Sequence, residues 1–223
     1  IDLDNLFNEL QMGEKNIVDN LNELNIITRA IEKAGITSAL VTERQALIYF
    51  EMGMYEEAVE KFKMLLDLED AAFSFFCMEK YCNTRAKLYV NKFLGGAVFK
   101  HNAEAARKQA LNGMEKVISD LKILCTTGRT AERLNLLASS YKRKSLLLAD
   151  KGQRVIAYQA AIACYRDAAD IKENSHEIYS VINAIEMECL LLLGGLLKAG
   201  ETFTFECKKY TVRLVAEAKT ILD

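Results

Sequence analysis

The fold class is decided by the stretch Ala46-Leu-Ile-Tyr-Phe-Glu-Met-Gly53-Met-Tyr-Glu-Glu-Ala58-Val-Glu-Lys-Phe62-Lys-Met-Leu65. Apolar residues recur at helical spacing on both sides of Gly53. Glycine commonly ends a helix, because it accepts the left-handed backbone that opens the following turn. The small side chain of Ala58 leaves room for a neighbouring helix. The stretch therefore predicts two antiparallel helices joined by a short turn.

Composition extends this prediction to the whole chain. The 223 residues include no proline, where average usage would supply about eleven, and proline is excluded mainly from helix interiors. Helical periodicity recurs in nearly every segment, so we predict nine helices and no strands. The predicted helices are one from Ile17 to Gly35, those at about 37–52, 55–68, 71–93, 102–125, 130–150 and 154–171, one opening at Asn174 and one following Gly200.

The last two predicted helices each carry an apolar stripe that we expect to be buried. Asn174 followed three residues later by Glu177 has the pattern of a capping box, which marks a helix start. The stripe of that helix contains Ile178, Ile182, Ile185, Cys189 and Leu192. The stripe of the last helix contains Cys207, Tyr210, Leu214, Ala218 and Ile221.

Internal similarity favours a repeat architecture over a closed helical bundle. The stretch 46–65 is close to the tetratricopeptide pattern, in which small residues and a tyrosine let the paired helices approach. The same order returns in weaker form in the segments 134–141 and 161–168, and again from Tyr179. We therefore predict an all-α fold, a right-handed α-α superhelix of about four helical hairpins after an N-terminal helix. Residues 1–223 are expected to form a single helical-repeat domain.

Three phrases carry a narrower resemblance: Met78-Glu-Lys-Tyr-Cys-Asn83, the run from Thr130 to Arg143, and Ile178-Tyr-Ser-Val-Ile-Asn-Ala184. They resemble the tetratricopeptide-containing TRAFs-binding family, which includes the central regulatory region of the apoptosis signal-regulating kinases and many bacterial proteins. Ser180-Val181 stands where relatives often have proline-glycine. The resemblance implies a regulatory scaffold of a larger effector that carries a kinase, caspase-like or CHAT protease domain. The resemblance implies no catalytic residues in this chain.

Charge and hydropathy exclude several classes of partner. The chain has 29 basic and 31 acidic residues and a net charge of −2, which gives no overall attraction to nucleic acid or to an anionic membrane. No apolar stretch approaches the length of a membrane span, and six scattered cysteines fit a reducing compartment. We expect a cytoplasmic protein. Because the chain opens with Ile1 rather than methionine, we expect a fragment of a longer protein.

The sequence lacks a recognisable catalytic or metal-binding pattern. Its two histidines, His101 and His176, stand in no metal-ligand spacing. The pairs Gly95-Gly96 and Gly194-Gly195 lack the longer glycine patterns that hold phosphate groups. We predict a protein that is not an enzyme and that requires no cofactor and no metal.

The predicted function is a non-catalytic scaffold that binds a protein or peptide segment. On the helix at 130–150, polar side chains off the apolar stripe have no packing role, and amides such as these would either hold a peptide backbone or join helix to helix. The predicted protein-binding residues are Asn135, Ser139, Lys142, Arg143 and Asn183. One alternative is an intramolecular arm that restrains an attached effector domain. A second is a ligand or nucleic-acid sensor that uses the basic residues between Lys142 and Arg154.

Overall fold

A computed structural model of the chain describes residues 3–12, 17–36, 38–68, 74–97, 103–171 and 177–213. Contacts divide the chain into two units, residues 1–88 and 89–223, and each is described by itself. The described residues form α1 (Leu3–Met12), α2 (Ile17–Lys33), α3 (Ala39–Glu51), α4 (Tyr55–Leu66), α5 (Phe75–Lys92), a π-helical turn (Phe93–Ala97), α6 (Ala103–Thr127), α7 (Ala131–Leu147), α8 (Lys151–Ala169), α9 (Glu177–Leu193), β1 (Thr202–Phe205) and β2 (Lys208–Thr211). The all-α, tetratricopeptide-like fold class is thereby confirmed, with a short β-hairpin added to it.

The helical hairpin predicted from residues 46–65 is present in the first unit as α3 and α4. Gly53 adopts a φ of 74°. Its N–H donates to the Phe50 carbonyl at 3.0 Å, and the Met54 N–H donates to the Tyr49 carbonyl at 2.9 Å. These two bonds form the Schellman arrangement that ends a helix at a left-handed residue. Glycine is needed here because other residues reach this φ only at a cost.

The core of the first unit forms around this hairpin. Ala58 and Phe62 on α4 are fully buried, and the Phe62 ring lies 5.6 Å from that of Tyr81 on α5, measured between centroids. Helix α1, which was not predicted, adds Leu3, Leu6 and Phe7 to the same core and contacts α3.

In the second unit, consecutive helices pack in pairs: α6 with α7, α7 with α8, and α8 with α9. Thr130 and Asp150 cap the starts of α7 and α8 by accepting a hydrogen bond from the Arg133 and Gln153 N–H groups. Ala161, Cys164, Tyr165 and Ala168 on α8 are buried. Small side chains on α8 let α7 and α9 both approach it closely.

The prediction of a helix after Gly200 is wrong. Residues 202–211 form an antiparallel hairpin in which Phe203 pairs with Tyr210, and the two rings stack at 5.5 Å. Thr202-Phe-Thr-Phe205 alternates polar and aromatic residues at the period of a strand, and such residues favour strands. Tyr210 is buried but Cys207 is exposed at the turn. Leu214, Ala218 and Ile221, the rest of that predicted stripe, lie outside the described residues.

The predicted burial of the α9 stripe is also wrong. Ile178 and Ile182 are exposed, and Ile185, Cys189 and Leu192 are only half-buried. The buried face of α9 consists of Ser180, Ala184, Met187, Glu188 and Leu191. Asn174, the predicted cap, lies outside the described residues. In the part of the chain that the structure describes, no helix is long and apolar enough to cross a membrane.

Candidate protein-binding surface

Four of the five predicted binding residues lie together where α7 meets α9. The Lys142 ammonium lies 2.7 Å from a carboxylate oxygen of Glu186 and 3.4 Å from the Asn183 Oδ1. The Asn183 Nδ2 donates to the Tyr179 carbonyl at 2.9 Å, which fixes the direction of its amide. We call Ser139, Lys142, Arg143, Asn183 and Glu186 the α7–α9 polar cluster.

The α7 side of this cluster is ordered within one helical turn. Arg143 Nη1 donates to Ser139 Oγ at 2.9 Å, and Ser139 Oγ donates to the Leu136 carbonyl at 3.0 Å. Ser139, Lys142 and Arg143 are all half-buried. Their stems therefore pack against protein while their polar ends remain accessible to solvent.

Asn135, the fifth predicted residue, lies below the surface. Its side chain is 5% exposed, and its Oδ1 accepts a hydrogen bond from Ser180 Oγ at 2.9 Å. This contact joins α7 to α9 and matches the alternative role that the sequence left open for such amides. Its part in partner binding stays a prediction.

Tyr165 on α8 lies near the cluster and is fully buried. Its ring meets that of Tyr179 edge-on at 6.1 Å. Among the described residues, the Tyr165 hydroxyl has no partner that satisfies hydrogen-bond geometry. Burial raises the pKa of this phenol above its ordinary value, so the hydroxyl stays neutral.

The basic residues between Lys142 and Arg154 point to different neighbours. Lys142 contacts α9, Lys144 pairs with Glu115 on α6, and Arg154 donates to the Ala149 carbonyl at 3.2 Å. Neutralised pairs of this kind attract a distant anion less than a row of unpaired cations would.

A cavity of about 300 Å³ lies between α8, α9 and the β-hairpin. Asp167 on its wall forms an ion pair with Arg129, lies 3.2 Å from the Lys208 ammonium, and accepts a hydrogen bond from the Tyr210 hydroxyl at 3.1 Å. Burial raises the pKa of Tyr210, and the Asp167 charge raises it further. The Tyr210 hydroxyl therefore stays protonated and donates to Asp167, whose carboxylate accepts this bond in a structural role.

Glu188 is a second acidic residue in the wall of this cavity that has polar partners. Its carboxylate pairs with Arg166 on α8 and accepts a hydrogen bond from the Arg213 N–H at 3.0 Å. Glu188 is only 1% exposed, so its charge depends on these partners. Sequence reasoning missed it, although an acidic residue inside the apolar run of α9 was a visible signal.

Within the described ranges, no three His, Cys, Asp or Glu side chains converge as metal ligands would. His101 and His176 both lie outside those ranges.

Known families provide an independent comparison. The family model described as Tetratricopeptide Repeats-Sensor matches residues 54–198, which is more than half of the chain. The chain belongs to the Tetratricopeptide Repeats-Sensor family. No curated protein and no solved structure is a match to it.

Membership in the Tetratricopeptide Repeats-Sensor family supports the tetratricopeptide part of the resemblance found in the sequence; the TRAFs-binding family itself is not confirmed. Modules of this repeat type serve in protein interaction or sensing and are typically non-catalytic. The matched range includes every residue of the α7–α9 polar cluster.

Proposed function

We propose that this chain is a non-catalytic regulatory scaffold that binds an acidic protein segment at the α7–α9 polar cluster. The observation that carries this proposal is the contact of Lys142 with the Glu186 carboxylate and the Asn183 amide. Glu186 occupies the position that an acidic side chain of a partner would take. The site is therefore preformed, and binding needs only an exchange of one carboxylate for another.

The exchange requires little free energy. The side chains of Lys142 and Glu186 are 33% and 50% exposed, and ion pairs as exposed as this contribute about 0–1 kcal/mol. A partner carboxylate that bonds both Lys142 and Arg143 makes two charge-assisted hydrogen bonds, which are stronger than neutral ones. Most of the effect is expected in the association rate and in its dependence on salt.

The proposed setting is the cytoplasm, with the chain acting as the regulatory arm of a larger effector, as the resemblance to the TRAFs-binding family implies. None of the six cysteines, all of which lie in the described ranges, forms a disulfide bond, which fits a reducing compartment. The partner segment then belongs either to a separate protein or to an effector domain attached to the same polypeptide.

The test is a selection of displayed random peptides of about twelve residues on the wild-type chain at low salt. We expect the selected peptides to be rich in Asp and Glu and to lose binding to the Lys142→Glu, Arg143→Glu variant. The matched control is Lys108→Glu, Lys116→Glu, which changes the net charge equally at two exposed lysines of α6. Peptides should bind this control as they bind the wild type.

Two results would contradict the proposal. One is equal loss of binding in both variants, which would show a response to net charge alone. The other is a set of selected peptides that binds the Lys142→Glu, Arg143→Glu variant unchanged. We expect both variants to stay folded, because all four substituted side chains lie at least partly in solvent. Circular dichroism and thermal melting of each variant check that unfolding is not the cause of lost binding.

A further inference from the structure

A second cavity of the second unit, of about 430 Å³, lies between α6, α7, α8 and β1. We call it the α6–α8 cleft. Leucine, isoleucine and alanine side chains form part of its wall, and aromatic, amide and charged side chains complete it: Asn112, Glu115, Tyr141, Lys144, Gln153 and Phe205. Apolar walls with a few polar groups, at a volume of this order, are typical of sites that bind small molecules.

Two aromatic rings form a fixed corner of the cleft. The rings of Tyr141 and Phe205 meet edge-on, with their centroids 5.8 Å apart, which is a favourable arrangement of two rings. The Tyr141 hydroxyl interacts with the Lys122 ammonium, and Lys122 pairs with Glu206 at 2.9 Å. Both rings are therefore held in place before a ligand arrives, which lowers the cost of ordering them on binding.

Two side-chain amides of the cleft, those of Asn112 and Gln153, are exposed and form no hydrogen bond with another described residue. The start of α8 does not need the Gln153 amide, because Asp150 caps it through the Gln153 backbone N–H. Each amide offers one carbonyl acceptor and one NH₂ donor group. A ligand with an amide-like edge can therefore bond to them.

The charges of the cleft are already paired. The Lys144 ammonium lies 2.5 Å from a carboxylate oxygen of Glu115, and among the described residues no other charged side chain lines the cleft. A charged ligand would lose water without gaining an unpaired counter-charge, and that loss is costly. The cleft therefore favours an uncharged molecule.

The volume of the cleft favours a small molecule over a single peptide side chain. A water occupies about 30 Å³ of liquid, so the cleft has room for about fourteen non-hydrogen atoms, more than the roughly ten of a tryptophan side chain. A side chain inserted from a partner peptide would leave part of the cleft unfilled, and unfilled apolar surface loses packing contacts.

We propose that the α6–α8 cleft binds an uncharged aromatic or heteroaromatic small molecule that carries an amide-like edge. Its rings pack against Tyr141, Phe205 and the aliphatic wall, and its edge bonds the amides of Asn112 and Gln153. The proposal uses no residue of the α7–α9 polar cluster and does not rest on the function proposed above.

The probe is naphthalene-2-carboxamide, and its charged counterpart is naphthalene-2-carboxylate, which has the same shape. Each is titrated into the full, isotope-labelled chain and followed by NMR. We expect the carboxamide to bind with a dissociation constant of about one millimolar, as ordinary ligand efficiency gives for about thirteen non-hydrogen atoms. The side-chain NH₂ signals of Asn112 and Gln153 should shift, and the carboxylate should bind about threefold more weakly or less.

The amides are tested by substitution. Asn112→Ala with Gln153→Ala should weaken binding of the carboxamide by about fivefold or more, because two hydrogen bonds are lost. Both side chains are exposed, so we expect the variant to stay folded. The matched control is Gln109→Ala, at an exposed glutamine of α6 outside the cleft, which should bind the carboxamide as the wild type does.

The paired charges are tested separately. Glu115→Gln leaves Lys144 without its partner in the cleft and should shift the preference toward the carboxylate. Glu132→Gln changes the net charge equally at an exposed position of α7 and should leave the preference as it is.

Four results would overturn the proposal. The first is a wild-type chain that prefers the carboxylate, and the second is equal binding of the carboxamide by the Asn112, Gln153 variant and the Gln109 variant. The third is no binding of the carboxamide at about ten millimolar. The fourth is tighter binding of the blocked peptide acetyl-Ala-Leu-Ala-amide, with the same NH₂ signals shifted, which would assign the cleft to a protein segment.

Discussion

At the scale of single residues, the partly exposed pair of Lys142 and Glu186 is central to the proposed binding of an acidic ligand. Glu186 competes with any carboxylate that approaches Lys142, because both need the same ammonium group. The sequence predicted Lys142 as a binding residue but could not predict this competitor. The two residues are 44 positions apart, and only the packing of α7 near α9 brings them together.

Removing the competitor should strengthen binding. We expect Glu186→Gln to increase the affinity for an acidic peptide selected on the wild type by up to about fivefold, the equivalent of a surface ion pair. Titration by fluorescence anisotropy at low salt measures the change. Glu132→Gln, at an exposed glutamate of α7, is the control and should leave the affinity unchanged. Weaker binding by Glu186→Gln would mean that Glu186 contacts the ligand rather than competing with it.

A second prediction at this scale concerns Ala58, which is fully buried on α4. Ala58→Leu adds three carbon atoms to a filled core, so we expect it to lower the free energy of unfolding by about 1–3 kcal/mol. Thermal melting measures the effect. Ala105→Leu makes the same change at an exposed position of α6 and should leave the melting midpoint nearly unchanged. An unaltered midpoint for Ala58→Leu would show that the helices can separate at this contact without cost.

At the scale of elements, periodicity predicted where helices lie better than which face they bury. The alternation of Thr202 to Phe205 is four residues long, and so short a run is easily read as part of a helix. In α9 the apolar stripe was found correctly, but the helix packs through Ser180, Ala184 and Glu188 instead. Small side chains and hydrogen-bonded polar side chains let α9 pack closely on α8. The spacing of apolar residues alone does not reveal a buried face of this kind.

The turn of the hairpin carries local backbone strain that a substitution should relieve. Glu206 and Cys207 have φ values of 45° and 66°, and a left-handed backbone costs non-glycine residues about 1–2 kcal/mol. We expect Cys207→Gly to stabilise the hairpin while keeping the contact between Glu206 and Lys122. Amide hydrogen exchange across β1 and β2 should slow. Lys209→Gly, inside β2, should speed the same exchange, and faster exchange in Cys207→Gly would contradict the assignment of strain.

At the scale of the whole molecule, the proposed scaffold function predicts an absence of catalysis. The isolated chain is expected to hydrolyse no peptide, nucleotide or ester, because its repeat type is typically non-catalytic. The measurement is a turnover assay on each substrate class with purified chain. Hydrolysis that disappears when one histidine or one cysteine is substituted would contradict a purely non-catalytic scaffold.

Glu188 gives the molecule a mechanical property. One carboxylate binds both Arg166 on α8 and the backbone N–H of Arg213, where the chain leaves the hairpin. Each residue step around a helix is about 100°, so a small rotation of α9 would carry this carboxylate away from both partners together. Rotation of α9 is therefore resisted at two points at once, at Arg166 on α8 and at the backbone of Arg213.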